Sequence, residues 1–264
     1  MPRPPSVYIA HDRASLIRKL SQFWDENVDR KCSKEGTLAN RPFFIGLSGG
    51  SMPSILSAAI RTKFSVDWSN IRFVYCDERL VPFADPESTH GLYLRYFVDE
   101  LRVPLSAFIP IDPSLPVAEC ASDYDTKLRA ANVPLNANGH FELDLALLGL
   151  GPDGHTCSLF PGHSLLKETT CSVAPISDSP KPPPNRITFT LPVLNSARCA
   201  AFITTGESKA DVVKDILEPS HSSSDQILPG SLVGLDQDER QQLHWFLDNE
   251  AASKLSSNVA QSSI

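Results

Sequence analysis

The sequence contains no long hydrophobic run and no excess of positive charge. Its longest apolar stretch, Leu145–Leu150, is far shorter than the roughly 18 residues that suggest a membrane-spanning helix. Lysine and arginine number 24 against 31 aspartate and glutamate residues, which leaves a formal net charge of −7. We therefore expect a soluble protein that binds neither membrane nor nucleic acid, and an anionic ligand would have to meet local positive groups.

Signals that depend on cysteine spacing or on an apolar N-terminus are also missing. The first residues, MPRPPSVYIAHDR, contain proline and charge where a signal peptide needs an apolar segment, which predicts a cytoplasmic protein. No C-x-x-C pair occurs, and a chain of this length does not need disulfide bonds for stability. We expect reduced thiols and no structural zinc at the six cysteines, which are Cys32, Cys76, Cys120, Cys157, Cys171 and Cys199.

The composition is that of a single globular domain. Of 264 residues, 41% are hydrophobic and 21% are charged, which are ordinary values for globular proteins. Prolines cluster at the N-terminus and in Ser177–Asn185, which has neither helical nor alternating periodicity. We interpret this segment as an extended, exposed loop within one domain covering residues 1–264, with a polar C-terminal tail from about 253 to 264.

Short apolar runs alternate with amphipathic stretches, a pattern typical of an α/β protein. It predicts a Rossmann-like, mostly parallel sheet flanked by helices on both faces. The expected strands are Phe43–Leu47, Ile71–Cys76, Leu143–Leu148, Ile187–Leu191 and Cys199–Thr204. The expected helices are Ala14–Trp24, Pro53–Arg61, Thr89–Leu101, Val117–Ala131 and Ser208–Leu217.

Four of the expected strands end directly in small, polar or charged residues. The four clusters are SGGS (48–51), DER (77–79), GLGPDGH (149–155) and TTGESK (204–209). Ligands of open α/β sheets bind beyond the carboxyl ends of the strands, so the four clusters are expected to converge on one crevice.

The first cluster suits a phosphate group. Gly49 and Gly50 allow a tight turn and a close approach to a ligand, while Ser51 can cap a helix whose N-terminus favours an anion. No G-K-[ST] follows, so this is not a Walker A loop, and it could equally be a turn without a ligand. In the second cluster, Asp77 or Glu78 could hold the guanidinium of Arg79 against an anion, or the three could form a structural ion pair.

The third cluster matches G-x-G-x-x-G literally, but we do not interpret it as a dinucleotide site. Pro152 lies inside the turn, and about twenty residues later, where an acidic residue should hold a ribose, the chain reads VAPI. The loop instead suits a turn that presents Asp153 and His155. A histidine beside an aspartate at a crevice suits a general base, although a lone histidine is often structural.

The fourth cluster offers a cation at the crevice. Lys209 could bind a phosphate or carboxylate, or be an ordinary solvated lysine, while Thr205 or Ser208 could cap the following helix. Arg186 is a further cation whose placement the sequence does not fix. His163 and Cys157 flank the third cluster and are interpreted as structural.

Five segments, in order, resemble the 6-phosphogluconolactonases. They are FIGLSGGS, CDERLVPF followed by ESTHGLY, LLGLGPDGHTCSLFPGH, RITFTLPVLN and TTGESKADVVKDIL, and the resemblance covers about residues 43–252. It implies a hydrolase of 6-phospho-D-glucono-1,5-lactone in the oxidative pentose phosphate pathway, on a fold shared with glucosamine-6-phosphate deaminases. One departure is Thr89, which stands where many lactonases have asparagine.

The resemblance also implies roles for individual residues. His155 would activate water with Asp153 beside it, Arg79 and Asp77 would contact the sugar or its developing charge, and no metal or other cofactor would be needed. The anionic end of the substrate would be surrounded by Ser48, Gly49, Gly50, Arg186 and Lys209.

Two alternatives stay open. A deaminase of this superfamily would carry an aromatic residue in place of Arg79 and Asn-Glu-Pro after the catalytic loop, where the corresponding stretch of this chain reads Ser158-Leu159-Phe160-Pro161. A non-catalytic sugar-phosphate sensor would keep the cations without needing His155. A monomer is favoured, although the sequence does not determine the oligomeric state.

Overall fold

The strands form two sheets. The structure is a computed structural model that describes residues 4–32, 41–61, 67–219, 227–234 and 241–256. Six parallel strands lie in the order β1-β9-β8-β5-β2-β3, and three antiparallel strands lie in the order β4-β7-β6. Their bounds are β1 Ser6–Ala10, β2 Phe43–Leu47, β3 Ile71–Tyr75, β4 Asp77–Arg79, β5 Leu145–Leu148, β6 Val173–Ile176, β7 Arg186–Phe189, β8 Cys199–Thr204 and β9 Gln242–Asp248.

Helices flank the larger sheet. In the described residues they are α1 Arg13–Trp24, α2 Arg30–Cys32, α3 Met52–Ile60, α4 Thr89–Tyr93, α5 Val117–Ala130, α6 Leu191–Ser196 and α7 Ala210–Leu217. Helix α1 begins at a capping box in which Asp12 accepts from the backbone N–H of Ser15 and Ser15 accepts from that of Asp12. Within the part of the chain that the structure describes, no helix is long and apolar enough to cross a membrane.

The central strands explain why the sequence reads as continuous apolar runs. Every residue of β2, β5 and β8 is buried, which requires cover on both faces of the sheet. The predicted fold class, a Rossmann-like sheet flanked by helices, is confirmed. Strands β2 and β8 have the predicted bounds, and β3 ends one residue earlier than expected.

The strand predicted at Ile187–Leu191 is present with shifted bounds, and it belongs to the smaller sheet. Strand β7 covers Arg186–Phe189 and is the middle strand of the small antiparallel sheet, so its expected place in a parallel sheet was wrong. The DER cluster was expected after a strand end and instead forms β4, which pairs with β7.

Cys76 joins the two sheets. Its backbone N–H donates to Leu47 of the larger sheet at 2.8 Å, and its carbonyl accepts from Phe189 of the smaller sheet at 2.7 Å. The chain therefore leaves the larger sheet at its carboxyl edge and enters β4 at once, which places Asp77 and Arg79 at that edge.

Three helix predictions change in detail. The helix expected over 89–101 is α4 followed by a π-helical segment at Leu94–Asp99, and the one expected at 208–217 begins with a 3-10 turn at Glu207–Lys209. The helix expected at Pro53–Arg61 is shifted by one residue, to Met52–Ile60.

The predicted loop 177–185 contains no helix or strand, whereas most of the predicted C-terminal tail lies outside the described residues. All six cysteines carry free thiols.

Candidate active site

The four clusters converge on one cavity at the carboxyl edge of the larger sheet. Its volume is about 260 Å³. It is lined by Ser48, Gly49, Gly50, Ser51, Met52, Asp77, Arg79, Gly149, Leu150, Gly151, His155, Cys157, Ile203, Thr204, Thr205 and Lys209. Residues far apart in sequence thus meet because the parallel strands that precede them end at the same edge.

The loop after β2 presents free backbone donors to this cavity. Gly50 has a φ of 70°, which favours glycine, and a Cβ at Gly49 would lie 2.7 Å from the hydroxyl oxygen of Thr89. Ser51 stands at the N-cap of α3, but its side chain makes no capping hydrogen bond. Pro53 has no N–H group, and among the described residues no N-cap side chain takes up the other first N–H groups of α3, which lie at a helix end that favours negative charge.

His155 and Asp153 form a close pair on the loop after β5. The Nδ1 atom of His155 lies 2.5 Å from Oδ1 of Asp153. The turn is closed by backbone hydrogen bonds from Gly151 to His155 and from Gly154 to Gly151. A Cβ at Gly151 would lie 1.9 Å from Nδ1 of His155, so only glycine leaves room for this pair.

The pair fixes the tautomer of the imidazole. Burial lowers the pKa of His155, although Asp153 raises it, so the ring is neutral at pH 7. Burial raises the pKa of Asp153, but hydrogen bonds with His155 and Lys181 outweigh this and hold it at about 2. A carboxylate only accepts, so Nδ1 carries the proton and Nε2 keeps its lone pair, which is the arrangement of a general base.

Lys181 reaches the same pair and was not predicted from the sequence. Its ammonium donates to Oδ1 of Asp153 at 3.0 Å and lies 3.2 Å from Nδ1 of His155. Both Lys181 and His155 Nδ1 are donors, so the carboxylate serves both. The loop Ser177–Asn185 has no periodicity from which the position of Lys181 could be predicted. The sequence did not indicate that this loop folds back to the cavity.

Asp77 and Arg79 lie on β4 with their side chains toward the cavity. Asp77 is buried and accepts a hydrogen bond from the hydroxyl of Ser158 at 2.8 Å. The guanidinium of Arg79 donates to the carboxylate of Glu87 at 2.8 Å and to its carbonyl at 3.0 Å. Its Nε is buried and has no acceptor among the described residues.

Glu78 points away from the cavity and orders the segment behind it. Its carboxylate accepts from the backbone N–H groups of Arg79, Thr89 and His90 at 2.7, 2.8 and 2.6 Å. Burial raises the pKa of Glu78 to about 7, partly offset by these donors. Of the three residues in this cluster, Glu78 therefore secures the first turn of α4.

The two remaining predicted cations are placed differently. Lys209 lines the cavity, donates to the hydroxyl of Ser208 at 3.0 Å, and has a pKa lowered by burial and by Lys181. Arg186 is 2% exposed, is not among the lining residues, and donates to carbonyl groups of the loop 177–185. Neither Thr205 nor Ser208 caps α7.

The glycine-rich turn at 149–154 differs from the turn of a dinucleotide-binding fold. In that fold a helix follows the glycine-rich turn directly, whereas the segment 149–163 here is irregular.

Across the described ranges, no group of three or more His, Cys, Asp or Glu side chains could hold a metal ion.

Comparison with known proteins gives consistent matches over nearly the whole chain. Residues 11–245 match the family described as glucosamine-6-phosphate isomerases/6-phosphogluconolactonase. A human protein named 6-phosphogluconolactonase is 48% identical over 262 residues, covering 96% of this chain and 95% of that protein. A rat protein of the same name is 49% identical over 222 residues, covering 81% of each. The solved 6-phosphogluconolactonase of Leishmania guyanensis is 26% identical with a TM-score of 0.79, covering 96% of this chain and 100% of that chain.

Proposed function

The chain belongs to the glucosamine-6-phosphate isomerase/6-phosphogluconolactonase family, and from this premise we propose how its cavity hydrolyses 6-phospho-D-glucono-1,5-lactone to 6-phospho-D-gluconate. This reaction belongs to the oxidative pentose phosphate pathway. The observation that carries the mechanism is the partly buried His155–Asp153 pair, whose histidine lines the cavity and in which Nε2 is the ring nitrogen left for water.

The first step adds water to the lactone carbonyl. Nε2 of neutral His155 takes a proton from water while the oxygen attacks C1, and the carbonyl electron pair moves to the oxygen. Asp153 keeps the ring oriented and stabilises the imidazolium that forms. Arg79 lines the same cavity and supplies positive charge for the oxyanion.

The second step opens the ring. The oxyanion reforms a carbonyl, the bond between C1 and the ring oxygen breaks, and the imidazolium of His155 returns its proton to that oxygen. One histidine thus acts as base and then as acid, and no metal enters the sequence of steps. Asp77, held by the hydroxyl of Ser158, is placed to accept a sugar hydroxyl.

We assign the phosphate to the part of the cavity lined by Lys209 and the Ser48–Ser51 loop. Lys209, the loop Ser48–Ser51 and the N-terminus of α3 supply positive charge and free N–H groups there. Local cations are required because the chain carries a net charge of −7. The guanidinium of Arg186 faces loop carbonyls, so we do not assign the phosphate to it.

A coupled assay with purified protein tests the assignment of the base. His155→Gln should lower kcat by about 10²- to 10⁴-fold while the Kd for 6-phosphogluconate stays near that of the parent. His163→Gln is the matched control, because His163 also pairs with an aspartate, Asp178, but does not line the cavity. An unchanged kcat in His155→Gln would refute the mechanism. Ammonia release from glucosamine-6-phosphate would instead support a deaminase.

We further propose that the chain acts as a cytoplasmic monomer with a small sugar phosphate as its only partner. The side chains that the mechanism uses at the cavity, His155, Asp77, Arg79 and Lys209, are brought together by the fold of one chain. Light scattering of the eluting protein and imaging of a tagged chain would test the two parts separately.

A further inference from the structure

Arg186 makes an unusual set of hydrogen bonds inside the protein. Its Nε donates to the carbonyl of Pro183 at 3.0 Å, and its Nη2 donates to the carbonyls of Lys181 and Pro182 at 2.9 and 3.0 Å. Three consecutive carbonyl groups are thus held by one planar guanidinium. A lysine ammonium could not match this fork in the same position.

The turn that Arg186 holds has few other means of fixing itself. Residues 182–184 are all prolines, which have no N–H group to donate, so the carbonyl oxygens are the polar groups that this stretch can offer. The hydroxyl of Ser179 also donates to the Lys181 carbonyl, at 2.8 Å. The same turn carries the Lys181 side chain to Asp153 and His155.

Arg186 also contacts the neighbours of the catalytic pair. Its guanidinium lies over the ring of Phe160 at 5.7 Å, and the centroid of that ring is 4.9 Å from that of His155. Its Nη1 lies 3.4 Å from the hydroxyl of Ser158, which holds Asp77. The buried guanidinium thus contacts Phe160 and Ser158, the neighbours of His155 and Asp77, but does not itself line the cavity.

We propose that Arg186 is a positioning residue for the hydrolysis, fixing the Lys181–Pro183 turn so that the Lys181 ammonium stays at the Asp153–His155 pair. This inference rests on the proposed role of His155 as the base. Sequence reasoning assigned Arg186 to the phosphate, so the two roles predict different behaviour of the same variants.

The charged groups that face His155 decide what its titration should report. They are Asp153 on its own loop, Lys181 on the loop 177–185 and Asp77 on β4. The positive charge of Lys181 lowers the pKa of His155, whereas the two aspartates raise it. If the turn is released, the ammonium leaves, the His155 imidazolium becomes easier to form, and its pKa rises.

The test measures the His155 titration by NMR of the free protein and the pH profile of kcat/KM with substrate. In Lys181→Met and Arg186→Met, both the titration midpoint and the acid limb should rise by about one pH unit. Arg186→Lys should fail to restore the parent values, because one ammonium cannot hold three carbonyls. The double variant should shift no further than Lys181→Met alone, since both changes act through one ammonium. Arg198→Met, at an exposed Arg198–Glu142 pair, should leave both values unchanged.

The two proposals fail in distinguishable ways. The NMR titration needs no substrate, so it reports the position of Lys181 even if the protein proves not to hydrolyse lactone. Parent-like titration in folded Arg186→Met or Arg186→Lys would overturn the positioning role. So would a loss of rate confined to the phosphorylated lactone with an unchanged pH profile, because Arg186 would then bind phosphate.

Discussion

Replacing Gly151 with alanine should disable catalysis while leaving the fold intact. The new Cβ would lie 1.9 Å from Nδ1 and 2.0 Å from Cε1 of His155, and 2.6 Å from Oδ1 of Asp153. Ordinary van der Waals contact begins at 3.4 Å, so the imidazole has to move by about 1.5 Å. A hydrogen bond of 2.5 Å between Nδ1 and Asp153 cannot survive that movement.

The expected loss follows from this displacement. A misplacement of about 1 Å at an active site can lower a rate about 10²-fold, and complete loss of a general base costs about 10²- to 10⁴-fold. We therefore expect kcat of Gly151→Ala to fall by about 10²- to 10³-fold. The backbone at Gly151 does not need a positive φ, so the free energy of unfolding should change by less than about 1 kcal/mol.

The assay pairs steady-state kinetics with urea denaturation. Gly234→Ala is the control, because Gly234 lies outside the cavity lining, a Cβ there meets nothing within 4 Å, and its φ is not positive. It should keep the parent kcat. If Gly151→Ala also kept the parent kcat, the close His155–Asp153 geometry would not be required for the reaction.

Three further outcomes are expected. Lys209→Ala should lower the affinity for the phosphorylated lactone by roughly 10- to 100-fold relative to that for gluconolactone. Inorganic phosphate should compete with the phosphorylated lactone in the parent protein. Equal losses of affinity for the two lactones would show that Lys209 does not bind the phosphate. Exhaustive chelation should leave kcat unchanged, and restoration of a lost activity by zinc would contradict this. The Glu78 carboxyl has a pKa of about 7 in the folded protein against a reference value of 4.5. The stability that it contributes is therefore present below pH 4.5 and is lost as the pH rises through 7. Between pH 5 and 8, the free energy of unfolding should fall less in Glu78→Gln than in the parent.

The fully buried strands were the most predictable part of the fold. Strand β2 and all of β8 except Thr204 are continuous apolar runs, and the sequence predicted their bounds because strands buried on both faces consist almost entirely of apolar residues. Strands β1 and β9 were missed. The apolar run of β1, Val7–Ala10, is short and close to the N-terminal prolines, while the polar residues Gln242 and His244 interrupt the apolar residues of β9.

The small sheet was harder because its strands hold polar residues that face the site. Strand β4 consists of Asp77, Glu78 and Arg79, three residues that depart from any strand pattern. Their burial depends on partners from distant segments, such as Ser158 and the backbone of Thr89. No local pattern encodes such partners, so Glu78 and Lys181 acquire their contacts only through the tertiary fold.

The pairing of β1 with β9 has a consequence for how the protein is made. Strand β1 lies at the edge of the larger sheet, and its strand partner is β9, from Ser6 opposite His244 to Ala10 opposite Asp248. During synthesis the first strand therefore emerges long before the strand that it pairs with. The β2-β3-β5-β8 part of the sheet can assemble first, and β1 can join the sheet only after β9 has been synthesised.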